Sequence, residues 1–227
     1  MIPLKYNWRS LLVRRTSSLA TVIGIALVVF VLAAALMLSA GVRRTLAASG
    51  DPSVAMVLRK GSDAELASGV EDSAVSLIKA QPGIVEVGGQ PLVVGEVVVV
   101  LAMKKLGTSG VSNVQIRGVT ELSRTLRPEL RILEGRLPQP GTDEVMVGRR
   151  ISGRFEGLAL GGHFELRKNR PMTVVGIFAA EGTSYESEVW SDLETLRAAF
   201  ARQGSVSAVR VKLDSPARFA SLQATVE

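Results

Sequence analysis

The stretch TSSLATVIGIALVVFVLAAALMLSAGV, residues 16–42, contains no charged residue. At a rise of about 1.5 Å per residue, a helix of this length is about 40 Å long, which exceeds the hydrocarbon core of a bilayer at about 30 Å. We therefore predict a transmembrane helix over residues 16–42. Two alternatives fit less well, because the apolar run is too long for a cleavable signal peptide and lacks the polar face of a helix in a soluble core.

The residues on either side of this helix carry the whole net charge of +6. After Arg44, the remaining 21 basic residues are balanced by 21 acidic residues, so the large domain is neutral and we expect no nucleic-acid partner. Aromatic and basic side chains favour the boundary between lipid and water. We predict that the residues marking the membrane boundary and topology are Lys5, Trp8, Arg9, Arg14, Arg15, Arg43 and Arg44.

The distribution of these charges predicts the orientation of the chain. Short segments rich in Lys and Arg tend to remain in the cytoplasm, and four positive charges precede the helix while two follow it. We expect a cytoplasmic N-terminus and an extracytoplasmic domain. We predict that residues 1–15 form a basic interfacial segment that lies against the lipid bilayer. The alternative is a frayed basic tail. Residues 16–42 form the span, and 43–227 form the outer domain.

Beyond residue 50 the pattern changes to short β-like runs interspersed with amphipathic helices. Two of the predicted strands flank a turn at residues 169–171, which indicates a hairpin. The interspersed pattern predicts a mixed, partly antiparallel α+β domain of two subdomains. We expect strands at 54–58, 84–87, 92–103, 111–119, 144–147, 162–168, 172–178 and 206–213. We expect helices at 70–80, at 149–155, from a capping box at Ser191 to about residue 202, and from Pro216 onward.

The sequence offers little chemistry for an enzyme. It has no cysteine, no G-x-x-x-x-G-K-[ST] phosphate loop and a single histidine, His163, at the start of a predicted strand. We therefore expect no catalytic residue, no cofactor and no metal site, and a structural role for His163. If ATP drives this protein, the ATPase is another chain.

Three pairs of acidic residues could in principle form an acid–base pair or a cation site. They are Glu71 with Asp72, Asp143 with Glu144, and Glu186 with Glu188. None has the spacing of a calcium loop, so we expect solvated or capping carboxylates. The polar segment at residues 181–190 is interpreted as a loop anchored in the core by Trp190, with a contact surface for a partner as the alternative.

Six short motifs, in this order and spacing, resemble the permease subunits of MacB/FtsX-type ABC transporters. They are QPGIVEV at 81–87, IRGV at 116–119, LEGR at 133–136, EVMVG at 144–148, VVGIF at 174–178 and EVWSDL at 188–193. Together with the N-terminal NWRSLLVRR, they make residues 43–227 similar to a MacB-like periplasmic core domain. The family often has Gly-Asp where this chain has Gly162 and His163, a departure at a structural position.

The resemblance implies a permease dimer, driven by a separate ABC ATPase subunit, that passes movement through its helices to an outer domain. The expected function is export or mechanotransmission at that domain, on a periplasmic partner or cargo. The family's permeases have four spans, whereas this sequence reaches Glu227 before a second one, so we expect a fragment or an anchored domain that has lost transport. The alternatives are a single-span, membrane-anchored binding module and an anchored hydrolase that uses His163.

Overall fold

Helix α1 spans Arg15–Ala48 and includes the apolar stretch quoted above. Its segment Ser18–Gly41 has a mean hydropathy of 2.9 and is long and apolar enough to cross a membrane. The predicted apolar helix is therefore confirmed, and it extends beyond residues 16–42 at both ends. Arg43 and Arg44 lie on its last turns.

The computed structural model describes residues 15–48 and 51–226. The predicted boundary residues Lys5, Trp8, Arg9 and Arg14 lie outside these ranges, so their role stays a prediction. The chain separates into two units, Met1–Gly50 and Asp51–Glu227.

In its described part, the second unit has thirteen strands and four α-helices. The strands are β1 Val54–Val57, β2 Val70–Glu71, β3 Glu86–Val87, β4 Gln90–Pro91, β5 Val93–Lys104, β6 Val111–Val119, β7 Arg131–Gly135, β8 Glu144–Gly148, β9 His163–Arg167, β10 Arg170–Ala179, β11 Glu188–Asp192, β12 Ser205–Val206 and β13 Ala208–Lys212. The helices are α2 Asp72–Lys79, α3 Glu121–Thr125, α4 Leu193–Phe200 and α5 Phe219–Val226, and 3-10 turns lie at Glu65–Ala67, Ser184–Ser187 and Pro216–Arg218.

Nine of these strands form one sheet in the order β1-β13-β5-β6-β11-β8-β10-β7, with β9 paired to β10. The pairs β6–β11 and β8–β10 are parallel, and the others in the sheet are antiparallel. The α+β class and the predicted β9–β10 hairpin are confirmed. The two expected subdomains share this sheet, because β5 pairs with β13 along residues 93–96 and with β6 along residues 97–104.

The sheet has a hydrophobic cluster on each face. On one face α4 packs so closely on β6 that a Cβ atom at Gly118 would lie 3.1 Å from Cδ2 of Leu196. The other face buries Trp190 against Phe178, with ring centroids 5.0 Å apart. Trp190 is fully buried, as predicted.

The helix predicted at residues 149–155 is wrong, because this segment forms irregular turns. Gly153 has a φ of 67°, in the left-handed region, and Phe155 forms an antiparallel β-bridge with Lys105. The backbone conformation of Gly153 and the pairing of Phe155 are incompatible with a continuous helix through residue 155. The hydrophobic periodicity of the segment does not reveal them.

The other elements differ from prediction mainly at their ends. Helix α2 begins at Asp72 because residues 70–71 pair with β12, and its Leu77 is 68% exposed. The N-cap of α4 is Asp192 rather than Ser191, since the Asp192 carboxylate accepts the N–H of Thr195. The strand predicted at 206–213 is interrupted at Ser207.

Candidate functional site

Six charged side chains form a cluster, here called the ionic cluster, on the Trp190 face of the sheet. Its members are Glu65, Glu96, Arg117, Arg127, Glu188 and Arg210. They come from β5, β6, β11, β13, the 3-10 turn Glu65–Ala67 and the segment after α3. The cluster contains three guanidinium groups and three carboxylates, so it is formally neutral.

Arg117 lies at the centre of the ionic cluster with 2% of its side chain exposed. Its Nε and Nη2 donate to the two carboxylate oxygens of Glu188 at 2.7 and 2.9 Å. Its Nη1 and Nη2 donate to the two oxygens of Glu65 at 3.1 and 2.9 Å, and Nη1 also donates to Glu96 at 3.0 Å. These five hydrogen bonds match the five N–H groups of a guanidinium, so the buried cation is fully satisfied.

Glu96 is fully buried and receives guanidinium groups from three sides. Arg127 forms a bidentate pair with it at 2.7 and 2.8 Å, and Arg210 donates to it at 3.2 Å. Burial raises the pKa of Glu96, but the charges and hydrogen bonds of these arginines outweigh burial and hold its pKa at about 2. Glu96 is therefore ionised at neutral pH and is poorly suited to donate or accept protons there.

Two aromatic rings line the ionic cluster. The Arg127 guanidinium carbon lies 4.5 Å from the ring centroid of Tyr185 and 5.1 Å from that of Trp190, in the range of cation–π contacts. The Trp190 indole N–H donates to Glu188 at 3.0 Å. The same side chains are thus held by both polar and aromatic contacts. This arrangement is suited to joining strands rigidly rather than to making or breaking covalent bonds.

The ionic cluster was not predicted from the sequence, although Arg117 and Glu188 stand within the short motifs quoted above. The available signal was a charged residue inside an apolar strand, as at Glu96 in VVGEVVVV. Charged residues are almost never fully buried without a partner, so such a residue predicts an opposite charge nearby. Which charge that is depends on strand order, which the pattern does not reveal.

The predicted acid pairs are not brought together as an acid–base site. Asp143 pairs with Arg170 at 3.0 Å, and Glu144 pairs with Arg136. The Asp72 carboxylate accepts from Arg197.

The expectation of solvated carboxylates is wrong for Glu186 and Glu188, which are 0% and 5% exposed. Glu186 accepts the backbone N–H groups of Ala180 and Gly182 at 2.9 and 3.0 Å, and Nε of Arg149 at 2.8 Å. Burial raises the pKa of Glu186, but these donors hold it at about 2. The burial of these two carboxylates is decided by the residues around the segment 181–190 and not by the polar composition of that segment.

His163 is exposed at the start of β9, and its Nδ1 lies 3.1 Å from Oγ1 of Thr173 on the paired strand. This position fits the structural role expected for it. Within the described ranges, no group of three His, Asp or Glu side chains is placed to hold a metal ion. The expectation that the chain is not an enzyme stays a prediction.

The family model of the MacB-like periplasmic core domain matches residues 17–227. The chain belongs to this family. The match begins within α1 and continues through the whole described part of the second unit, so the resemblance inferred from the short motifs is confirmed. In this MacB-like periplasmic core domain, the ionic cluster joins strands that are distant in sequence.

A solved structure of such a domain shares the fold. The periplasmic region of MacB from Actinobacillus actinomycetemcomitans matches with a TM-score of 0.54 and 14% identity, covering 80% of this chain and 83% of that chain. The extracellular domain of the noncanonic ABC-type transporter YknZ from Gram-positive bacteria matches with a TM-score of 0.47 and 17% identity, covering 68% and 78%. No curated protein matches the chain.

We expect Arg117→Met to destabilise the domain by about 3–5 kcal/mol, because it leaves buried carboxylates without their cation. The matched control is Arg131→Met, since Arg131 is 75% exposed and lies 3.6 Å from the exposed Glu181. The control should change the free energy of unfolding by less than about 1 kcal/mol. Urea unfolding of the full chain in detergent, followed by circular dichroism, measures both. Equal effects of the two substitutions would contradict a structural role for the ionic cluster.

We also expect acid to weaken the fold in a defined window. The pKa values of Glu96 and Glu186 lie near 2 in the folded domain, against an ordinary value of 4.5. A carboxylate whose pKa is lowered by folding stabilises the fold at pH values above its ordinary pKa. This stabilisation is lost as the pH falls toward the pKa that the carboxylate has in the folded domain. The free energy of unfolding should therefore fall between pH 4.5 and about 2.

Replacing Glu186 with Gln should flatten this dependence, whereas Glu86→Gln, at an exposed position, should leave it unchanged. Denaturant unfolding at a series of pH values provides the measurement. If the free energy of unfolding falls equally with pH in the Glu186→Gln variant and in the original chain, Glu186 is not responsible for the pH dependence.

Proposed function

We propose that the chain is a permease subunit of a MacB/FtsX-type ABC transporter. Its outer domain, residues 43–227, acts outside the bacterial inner membrane, and a separate ABC ATPase subunit supplies the energy. The observation that carries this proposal is the family match over residues 17–227, which takes in the whole candidate span Ser18–Gly41 as well as the domain.

In this proposal the chain spans the lipid bilayer once through residues 16–42, with residues 1–15 at the cytoplasmic surface. The flanking cations Arg14, Arg15, Arg43 and Arg44 define the two boundaries. The permease works as a dimer with a second permease subunit, and its outer domain acts on a periplasmic partner or cargo.

The ionic cluster supports a mechanical role for the domain. A domain that transmits movement must shift as one body, because internal slippage would dissipate the displacement. Separating Arg117 from its carboxylates would leave charges buried without partners, at a cost of about 3–5 kcal/mol. The ionic cluster therefore resists slippage among β5, β6, β11 and β13.

The start of the domain is also held firmly. Asp51 accepts hydrogen bonds from Lys212 at the end of β13 and from the backbone and side chain of Ser53. The hydrogen bond from Lys212 is the main cause that lowers the pKa of Asp51 to about 2. Lys212 also donates to the Ser53 hydroxyl at 2.7 Å, so the first residues of the domain are fastened to the end of β13.

The proposed orientation predicts the activity of reporters fused after Glu227. Alkaline phosphatase, which is active only outside the cytoplasm, should be active there, and green fluorescent protein exported by the same route should be dark. Replacing Lys5, Arg9, Arg14 and Arg15 by Gln removes the positive flank and should reduce the phosphatase signal. A cytoplasmic reporter signal from the original chain would refute this topology.

Energy coupling predicts that the chain forms a complex with an ABC ATPase. The tagged chain, purified in mild detergent from cells that also express the ABC ATPase encoded nearest to its gene, should carry that ATPase in a stoichiometric amount. A tagged single-span protein of unrelated sequence provides the control. Purification of the chain without the ATPase would contradict the permease proposal and favour a membrane-anchored binding module.

A further inference from the structure

A cavity of about 240 Å³ lies on the Trp190 face of the sheet and contains no member of the ionic cluster. It is bordered by α3, by the segment 137–140 that follows β7, and by the strands β8 and β11. Met146 and Trp190 are 2% and 0% exposed, so they form the floor of the cavity. The whole apolar lining consists of Val119, Leu137, Pro138, Pro140, Met146 and Trp190.

The two segments that border this cavity are held in place by hydrogen bonds. At the start of α3, the N–H of Thr120 donates to the hydroxyl of Ser123 at 3.1 Å. In the segment 137–140, the N–H of Gln139 donates to the carboxylate of Glu144 at 3.0 Å. The cavity is therefore formed before any ligand enters, which lowers the cost of ordering its walls on binding.

Three charged side chains complete the lining of the cavity, namely Glu121, Arg124 and Asp192. Within the described residues, the guanidinium of Arg124 forms no hydrogen bond or ion pair, and its buried Nε has no acceptor. Glu121 is exposed and has no partner in the same ranges. One carboxylate oxygen of Asp192 accepts the N–H of Thr195 at 3.0 Å, which leaves its other oxygen available to a ligand.

The charges of the cavity point to a ligand that carries both signs. Glu121 and Arg124 are three residues apart on α3, a spacing at which opposite charges can pair, yet they do not pair in the structure. A ligand with a single charge would be attracted by one side of the cavity and repelled by the other. A zwitterion satisfies the cation and the carboxylates together.

We infer that this cavity binds a free apolar α-amino acid. The carboxylate of the ligand pairs with the Arg124 guanidinium, and its ammonium group lies toward the carboxylates of Glu121 and Asp192. Its side chain packs on the floor formed by Met146 and Trp190, where apolar surface is removed from water. Cavities for drug-sized ligands occupy about 300–1,000 Å³, so this smaller cavity takes a correspondingly small molecule.

This inference does not rest on the proposed function, because it concerns only the second unit of the chain. The site has no part in the ionic cluster, and its charged groups lie on α3 and at the end of β11. Amino-acid binding and ATPase binding are therefore separate properties that can be measured in the same purified chain.

Trp190 provides a fluorescent reporter at the floor of the cavity. The chain has two tryptophans, so Trp8→Phe leaves Trp190 as the only one. L-phenylalanine added to this full-length variant in a nonionic detergent should change the Trp190 emission in a saturable manner. Phenylpropionate lacks the ammonium group and phenethylamine lacks the carboxylate, and each should bind more weakly by about 10-fold or more.

Substitutions in the same background test the charged groups. Arg124→Gln should weaken L-phenylalanine binding by about 10-fold or more, and Glu121→Gln should also weaken it. The matched controls are Arg131→Gln and Glu134→Gln, at exposed positions outside the cavity, which should leave binding unchanged. Circular dichroism checks that each variant is folded.

An emission that does not change with L-phenylalanine or L-leucine would overturn the inference. Phenylpropionate binding as tightly as L-phenylalanine would also overturn it, because the ammonium group would then not be recognised. Equal weakening in the Arg124 variant and in its Arg131 control would have the same consequence. A chain that binds the ATPase but no amino acid would overturn only this inference and leave the proposed function intact.

Discussion

The buried guanidinium of Arg117 is the interaction on which the outer domain depends. Its five N–H groups reach carboxylates from β5, β11 and the 3-10 turn Glu65–Ala67, so one side chain ties together segments that lie up to 71 residues from it in sequence. Each partner is buried or nearly so, which makes every member costly to separate from the others. The hydrophobic clusters on the two faces supply most of the burial, while the ionic cluster determines which strands may be neighbours.

This arrangement suits the mechanical role proposed for the domain. Two buried carboxylates with pKa values of about 2, Glu96 and Glu186, are held ionised by arginines and backbone N–H groups. Such groups do not exchange protons near neutral pH, so their contribution is electrostatic and constant.

Much of the fold was predictable from local patterns. The strand at 111–119 and the hairpin of β9 and β10 follow from alternation and turn residues, and their bounds agree with prediction within a few residues. The failures occur where tertiary contacts compete with local preference. Residues 149–155 have helical periodicity, yet the left-handed backbone at Gly153 and the β-bridge from Phe155 to Lys105 prevent a continuous helix.

The sequence by itself determined the long apolar helix, the confinement of net charge to its flanks, the α+β class and the family, because these depend on composition, periodicity and short motifs. Only the tertiary structure decided that Glu186 and Glu188 are buried and that Arg117 pairs with Glu65, Glu96 and Glu188. The physical reason is that a buried charge needs an opposite charge, but strand order alone selects which one it meets.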